Sequence, residues 1–308
     1  MTHLADWLAS RTSRADDWPL ERVLAAKGAH RVTVVIPARD EASTVADIVG
    51  TIHRHLVVDA SLVDELVVID SDSTDDTAVI AADAGATVHT ASKIRPDLGN
   101  HAGKGEALWK SQFVTSGSVV VFVDADLTSW GTHFVTGLLG PLLTDPAVVL
   151  VKGFYDRTLD DGSGNHTPQG GRVTELVARP LIAALRPQLA RVVQPLAGEW
   201  AIRRDAFAGL WIPVGYGVEM STLLDVHARH GVDAVAQVDL GERAHSHQSV
   251  HDLGLMASEI LGVTLRRSGM WLREEQLLWQ FDRQHTPAWR AREVPTAERP
   301  PLITSGYS

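Results

Sequence analysis

Apolar and polar positions fall in short alternating blocks along this chain. Val32-Thr33-Val34-Val35-Ile36 is a compact β-branched run stopped by Pro37, the pattern of a buried strand. Behind it Ser43 can cap a helix whose apolar positions, Val45, Ile48, Val49, Ile52 and Leu56, follow helical spacing. The alternation then repeats. Leu66 to Ile69 reads as a strand, Ser73 as a cap, Thr74 to Ala84 as a helix and Gly85 as its stop. Ala86-Thr87-Val88 is a short third strand, Gly105 to Ser116 a helix, and Val119 to Val123 another buried strand. Strands and helices in this order predict an α/β fold with a mostly parallel sheet covered on both faces.

The flanking regions are less regular. Leu4, Trp7, Leu8, Trp18, Leu20, Val23 and Leu24 predict one or two short amphipathic helices that pack onto the core. Asp160 to Gly171, rich in Gly, Asp and Asn, reads as a mobile surface loop. Helices are expected around Val173 to Leu185, Gly217 to His230 and Leu253 to Leu265, with a short strand near Val235 to Val238. From His285 onward Pro and charged residues predict a poorly ordered tail. The sequence shows no internal repeat.

Composition narrows the function. With 308 residues, 44% of them hydrophobic, a large core is available. No apolar stretch approaches the roughly 20 residues of a membrane span, and Met1 to Trp18 is charged where a secretory signal is apolar, so a cytoplasmic protein is expected. The absence of cysteine leaves carboxylate, imidazole or carbonyl groups as the only metal ligands. A formal net charge of -10 argues against nucleic acid as a partner, but not against a small phosphorylated ligand held by a local basic cluster.

In an open α/β sheet ligands collect beyond the carboxyl ends of the strands. The residues there are Pro37-Ala38-Arg39-Asp40-Glu41, Asp70-Ser71-Asp72-Ser73 and Asp124-Ala125-Asp126. The last triplet presents two carboxylates to a divalent cation, Mg²⁺ or Mn²⁺, which in turn suits a nucleotide-diphosphate leaving group. Solvated turn carboxylates are the alternative. Asp70 and Glu41 could accept from nucleotide hydroxyls or simply shape their turns. Lys104, set between Gly103 and Gly105 before a helix, could reach a phosphate while the glycines permit close backbone approach. The spacing is not that of a nucleoside-triphosphatase loop. Gly171, Arg172, Val173 and Thr174 join a loop to a helix and could form an anion site, or an ordinary cap. Arg243, His245 and His247 would share one side of an extended segment, and a histidine there could complete a metal site.

Taken together, Val-Ile-Pro-Ala-Arg-Asp-Glu (35–41), Asp-Ser-Asp-Ser-Thr-Asp-Asp-Thr (70–77), Gly-Lys-Gly-Glu-Ala-Leu-Trp (103–109), Gly-Gly-Arg-Val-Thr-Glu-Leu-Val-Ala-Arg-Pro-Leu (170–181) and Gln-Pro-Leu-Ala-Gly-Glu (194–199) resemble the glucosyl-3-phosphoglycerate synthases of actinobacteria. The resemblance spans roughly residues 32 to 267. It implies a GT-A, Rossmann-like fold, a homodimer, and transfer of glucose from UDP-glucose to the 2-hydroxyl of 3-phosphoglycerate with retention, a step toward glucosylglycerate. It further implies that Pro37, Ala38, Arg39, Glu41, Asp70 and Ser71 line the nucleotide side. Lys104 would hold a donor phosphate, and Asp124, Ala125, Leu196 and Glu219 would lie by the transferred glucose. Asp126 and His245 would hold the metal. Gly171, Arg172, Val173, Thr174, Tyr216, Arg243 and His247 would meet the acceptor, and Asp124, Lys104 and Glu219 would be catalytic.

The chain is therefore expected to divide into an N-terminal helical extension (1–30), a nucleotide-sugar-binding region (31–150), an acceptor-binding and dimerisation region (151–284) and the tail (285–308). Arg39-Asp40, Asp72 and His247 depart from the common pattern. Trp7, Trp18 and the segment 238–243 also look like mannosyl-3-phosphoglycerate synthases, so GDP-mannose stays open as donor. An inverting transferase of the same fold and a non-catalytic nucleotide-sugar-binding protein are the remaining alternatives.

Overall fold

The β-branched runs pair into one sheet. The structure, a computed structural model, describes residues 2–160, 166–168, 171–244, 249–282 and 288–302. The chain begins with α1 (Thr2–Arg11), β1 (Thr12–Arg14), α2 (Leu20–Lys27), β2 (Val32–Ala38) and α3 (Val45–Ile52), the last continued by a π-type turn over His53–Asp59. Next come β3 (Glu65–Asp70), α4 (Thr77–Asp83), β4 (Thr87–Thr90), α5 (Lys104–Ser111), β5 (Val119–Phe122), α6 (His133–Thr144), β6 (Leu150–Asp160) and β7 (His166–Pro168). A π-type segment, Thr174–Ala178, leads into α7 (Arg179–Leu185), followed by β8 (Trp200–Arg203), α8 (Arg204–Ala208), β9 (Ile212–Pro213) and α9 (Val218–His230). The last elements are β10 (Val235–Ala244), α10 (Val250–Arg267), β11 (Leu277–Asp282), β12 (Ala288–Glu293) and β13 (Glu298–Arg299).

The central sheet runs β1-β10-β6-β8-β5-β2-β3-β4, with β7 added to β6. All pairs along that path are parallel except those of β8, which runs antiparallel to both β5 and β6. This is the mostly parallel α/β sheet expected. Strand alternation splits its side chains between two cores. Val34, Ile36, Val68, Val119 and Val121 pack with α2, α3 and α6 on one face. Val35, Val67, Ile69, Val120 and Phe122 pack with α5, α9 and α10 on the other. No helix among the described residues is long and apolar enough to cross a membrane.

Several local expectations are corrected. Strand β2 does not stop at Pro37 but runs through it to Ala38. The Val35 carbonyl accepts from Val123, so Pro37, two residues on, turns its missing N–H toward the side where β5 has already ended, and no ladder bond is lost. Neither Ser43 nor Ser73 caps a helix; the residues before α3 and α4 are Thr44 and Asp76. The Ser73 hydroxyl instead accepts the Asp40 N–H across the loop (3.0 Å). Residues 12–14, polar and without a pattern, form the edge strand β1 beside β10. Within the expected loop Asp160 to Gly171, residues 166–168 pair antiparallel with 158–160, and 161–165 and 169–170 lie outside the described residues.

Of the tail expected to be loose, the described part, residues 288–302, is built in. Residues 288–293 form a hairpin with β11, and β13 pairs with β9. Arg299 places its guanidinium on Glu106 of α5, with Nη2 2.6 Å from Oε1, and over the Trp109 ring at 4.8 Å. A buried carboxylate thereby meets a fork of matching geometry.

Candidate active site

The carboxyl ends of β2, β3 and β5 meet the N-termini of α5 and α9 at one edge of the sheet. Asp124 follows β5, and its Oδ1 lies 2.5 Å from Lys104 Nζ at the start of α5. The same ammonium is 2.7 Å from Glu219 Oε1 in the first turn of α9. The structure thus gathers the three residues expected to be catalytic into one cluster, Glu219 buried and Lys104 and Asp124 partly so. Burial opposes charge on Lys104, but Asp124 and Glu219 outweigh it and raise its pKa above the ordinary lysine value. Lys104 is a fixed cation.

The glycines beside Lys104 serve a different partner from the one expected. A Cβ on Gly105 would lie 1.7 Å from the Pro213 carbonyl oxygen, and one on Gly103 2.4 Å from that of Val214. The N–H groups of Gly105 and Glu106 donate to the carbonyls of Gly215 (3.3 Å) and Val214 (2.9 Å). The close approach is protein to protein: the loop between β9 and α9 seats the N-terminus of α5, leaving the Lys104 ammonium to face the site.

Around this cluster lie two further acidic residues. Thr44 ties the β2–α3 loop to the β5 loop, its hydroxyl donating to the Ala125 carbonyl (2.6 Å) and reaching Glu41 Oε2 (3.3 Å). Burial first, and then Asp126 and Asp124, raise the Glu41 carboxyl above the usual range. Negative charge is in excess at this edge, and a divalent cation would relieve it. Among the described residues no group of three or more His, Asp or Glu side chains converges on one point. An open site with one or two carboxylates, finished by phosphate oxygens and water, is what Mg²⁺ or Mn²⁺ accepts. Asp126, half-buried beside Asp124, fits that role. His245, expected as its companion, and His247 lie outside the described residues.

A polar cavity of about 140 Å³ opens alongside, lined by Arg39, Ser71, Asp72, Asn100, His101 and Ala102 among others. Ser71 donates its N–H to the Ala38 carbonyl (2.8 Å), locking the ends of β2 and β3 side by side. Pro37 is partly buried and Ala38 buried there, while Arg39 is exposed. Asp70 is buried, and its Oδ1 accepts the Ser73 N–H (3.3 Å), a turn-forming role.

On the far side, Gly171 and Arg172 are half-buried and Val173 and Thr174 buried, at the start of the helical run that leads into α7. Tyr216 is half-exposed, and its N–H donates to Glu259 Oε2 of α10 (2.6 Å). Arg243 lies on β10 in register with Arg157. Leu196 is partly buried in the turn before β8. That turn also holds Gly198 and Glu199, which the sequence offers only as part of the segment 194–199 and without a role of their own; a Cβ on Gly198 would lie 2.0 Å from Asp124 Oδ2. Glu259 and Lys152, both buried, are absent from the expected site residues. For Lys152 a signal existed, a lysine closing the apolar run Val148 to Val151.

Known proteins share this fold. Residues 33–211 match the family model described as glycosyl transferase family 2. The glucosyl-3-phosphoglycerate synthase of Mycolicibacterium smegmatis is 42% identical over 298 residues, 97% of each chain. A crystal structure of the Mycobacterium tuberculosis glucosyl-3-phosphoglycerate synthase with Mn²⁺, UDP-glucose and phosphoglyceric acid superposes with a TM-score of 0.83 at 42% identity, covering 93% of this chain and 95% of that one. A second structure of that enzyme, with Mg²⁺ and UDP, gives 0.86 at 41% identity, covering 95% and 98%.

Proposed function

Because this chain belongs to glycosyl transferase family 2 and, within it, to the glucosyl-3-phosphoglycerate synthases, we propose that it transfers glucose from UDP-glucose to the 2-hydroxyl of 3-phosphoglycerate with retention at the anomeric carbon. The observation that carries the reading on this chain's own residues is the Lys104 ammonium held between Asp124 and Glu219 at the carboxyl edge of the sheet.

The nucleotide lies over Pro37, Ala38 and Ser71, and the diphosphate meets Lys104. As the bond from the anomeric carbon to the β-phosphate oxygen breaks, negative charge grows on that oxygen, and a partly buried, permanently charged lysine stabilises it without reorganisation. Asp126, with His245, would hold the divalent cation, which when bound neutralises the same diphosphate. Gly171, Arg172, Val173 and Thr174 hold the phosphoglycerate so that its 2-hydroxyl approaches the face the diphosphate is leaving. A covalent glucosyl intermediate needs a carboxylate available to attack. Asp124 and Glu219 both spend an oxygen on Lys104, which favours the same-face route. In that route the acceptor oxygen bonds to the anomeric carbon, and its proton passes to the departing phosphate oxygen.

Residues 31–150 would then serve the donor and 151–284 the acceptor and the dimer interface. Leu277, Trp279 and Trp289, exposed on the β11–β12 hairpin, support a surface that a second copy covers. Substrates this charged do not cross a bilayer unaided, which supports a cytoplasmic site of action. The test is turnover of 3-phosphoglycerate with UDP-glucose and GDP-mannose in parallel, with NMR of the product. An α-glucosyl product from UDP-glucose is expected; a β-linked product, or preference for GDP-mannose, overturns the reading.

A further inference from the structure

Lys152 is a charged side chain in the wrong place for a surface residue. It lies on β6, 1% exposed, between Gln237 of β10 and Trp200 of β8 in register. Its ammonium donates to the Ala197 carbonyl (2.7 Å) and stands 5.6 Å from the centre of the Trp200 ring. Burial brings its pKa down to about 8, with Glu219 and Glu199 opposing the shift and Lys104 adding to it. An ammonium taken out of water is expensive to hold, and a methionine would fill the space more cheaply.

The carbonyl it grips belongs to the turn beside the reaction centre. Residues 194–197 close a turn, with the Ala197 N–H donating to the Gln194 carbonyl (3.1 Å), and Gln194 Nε2 donates to the Tyr155 carbonyl (2.5 Å). One residue past Lys152, the Gly153 N–H donates to the Glu199 carbonyl (2.9 Å). Strand β6 therefore seats the turn from below at two consecutive residues. Gly198, between those two anchor points, has its backbone flush against the Asp124 carboxylate. Asp124 in turn holds Lys104.

We propose that Lys152 is a positioning residue for sugar transfer: its ammonium fixes the Gln194–Glu199 turn against Asp124, and so sets both Leu196 and the Asp124–Lys104 pair around the transferred glucose. The inference rests on the glucosyl-transfer reading above. Lysine serves where methionine would not, because the Ala197 carbonyl is buried and needs a donor.

The test is Lys152→Met in the full-length protein, alone and with Gly198→Ala, which disturbs the same contact from the other side. A displacement of the order of 1 Å at the turn is expected to lower kcat about 100-fold. The affinity for UDP with Mn²⁺, measured by calorimetry, should stay within about 3-fold and Tm should change little, since loss of the buried charge offsets the Ala197 carbonyl left without its donor. The double variant should be little worse than the poorer single, because both act on one contact. Wild-type kcat in Lys152→Met overturns the proposal. So does a loss of kcat that runs in parallel with lost UDP binding and a lower Tm, which is collapse of packing. If the wild-type protein itself fails to glucosylate 3-phosphoglycerate, the functional reading has failed instead. A crystal structure of Lys152→Met then still decides: residues 194–199 moved away from Asp124 support the inference, and an unmoved turn ends it.

Discussion

The two ends of the central strands carry carboxylate clusters of opposite character. At the amino edge Glu65 is answered on every side. The Ser116 N–H (2.9 Å) and hydroxyl (2.6 Å), the Thr33 hydroxyl (2.5 Å) and Arg31 (3.3 Å) all donate to it. Burial alone would push that carboxyl up; the hydrogen bonds outweigh it and bring it down to about 2. At the carboxyl edge Asp124 and Glu219 share the ammonium of Lys104, Asp126 and Glu41 lie close by, and the Glu41 carboxyl is raised, by burial first and then by Asp126. One end closes its electrostatics within the fold and serves stability. The other leaves negative charge in excess, which a divalent cation can relieve.

The sharpest break of that comparison is Lys104→Met. It should lower kcat/KM with UDP-glucose about 1000-fold, worth about 4 kcal/mol of transition-state stabilisation, in steady-state assays. Because two carboxylates lose their partner, Tm should fall as well. Glu65→Gln should act in the opposite sense, leaving kcat unchanged within about 2-fold while costing about 1–3 kcal/mol in urea unfolding at neutral pH. Glu65 has a folded-state pKa below its unfolded one, so its contribution is full above about 4.5 and disappears as the pH falls through about 2. The gap between wild type and variant should narrow over that window.

The smallest effect is expected at Glu259, buried on α10 against the loop before α9. Burial, with Glu219 adding, pushes its carboxyl up to about 7, against the Tyr216 N–H that it accepts. A raised acid pKa means that the folded protein binds the proton more tightly than the unfolded chain, so wild-type stability declines as pH rises from about 4.5 through about 7. Glu259→Gln keeps an acceptor for Tyr216 and removes the charge. Its Tm should match wild type at pH 4 and exceed it by about 2–4 °C at pH 8.

The same contrast marks what the sequence reveals. Strands β2, β3 and β5 are runs of Val and Ile, and ligands gather at the carboxyl ends of such strands, so Lys104, Asp124 and Asp126 stand out from local pattern alone. The demand for glycine around Lys104 was also legible, but not its partner, since Pro213–Gly215 reaches α5 only through the tertiary fold. Ser43 and Ser73 satisfy every local rule for a helix cap. Ser73 is drawn off by the Asp40 N–H thirty-three residues away. Strand β1 is Thr-Ser-Arg, with no apolar residue to announce it, and exists because β10 offers an edge. Arg299 sits in a stretch whose Pro and charge content reads as loose, and its pairing with Glu106, together with that of β13 with β9, makes the stretch part of the core. Long-range pairing places these residues, and no window of sequence contains both partners.

In the proposed function the unbalanced carboxyl edge holds a divalent cation together with the donor diphosphate, with Asp126 as the protein's grip on it. Calorimetric titration of UDP into wild type and Asp126→Ala, each with Mn²⁺ and with EDTA, tests this most directly. Mn²⁺ should strengthen UDP binding to wild type by at least about 10-fold and leave Asp126→Ala nearly unaffected. Equal binding with and without Mn²⁺ in wild type, or an undiminished Mn²⁺ effect in Asp126→Ala, would contradict it.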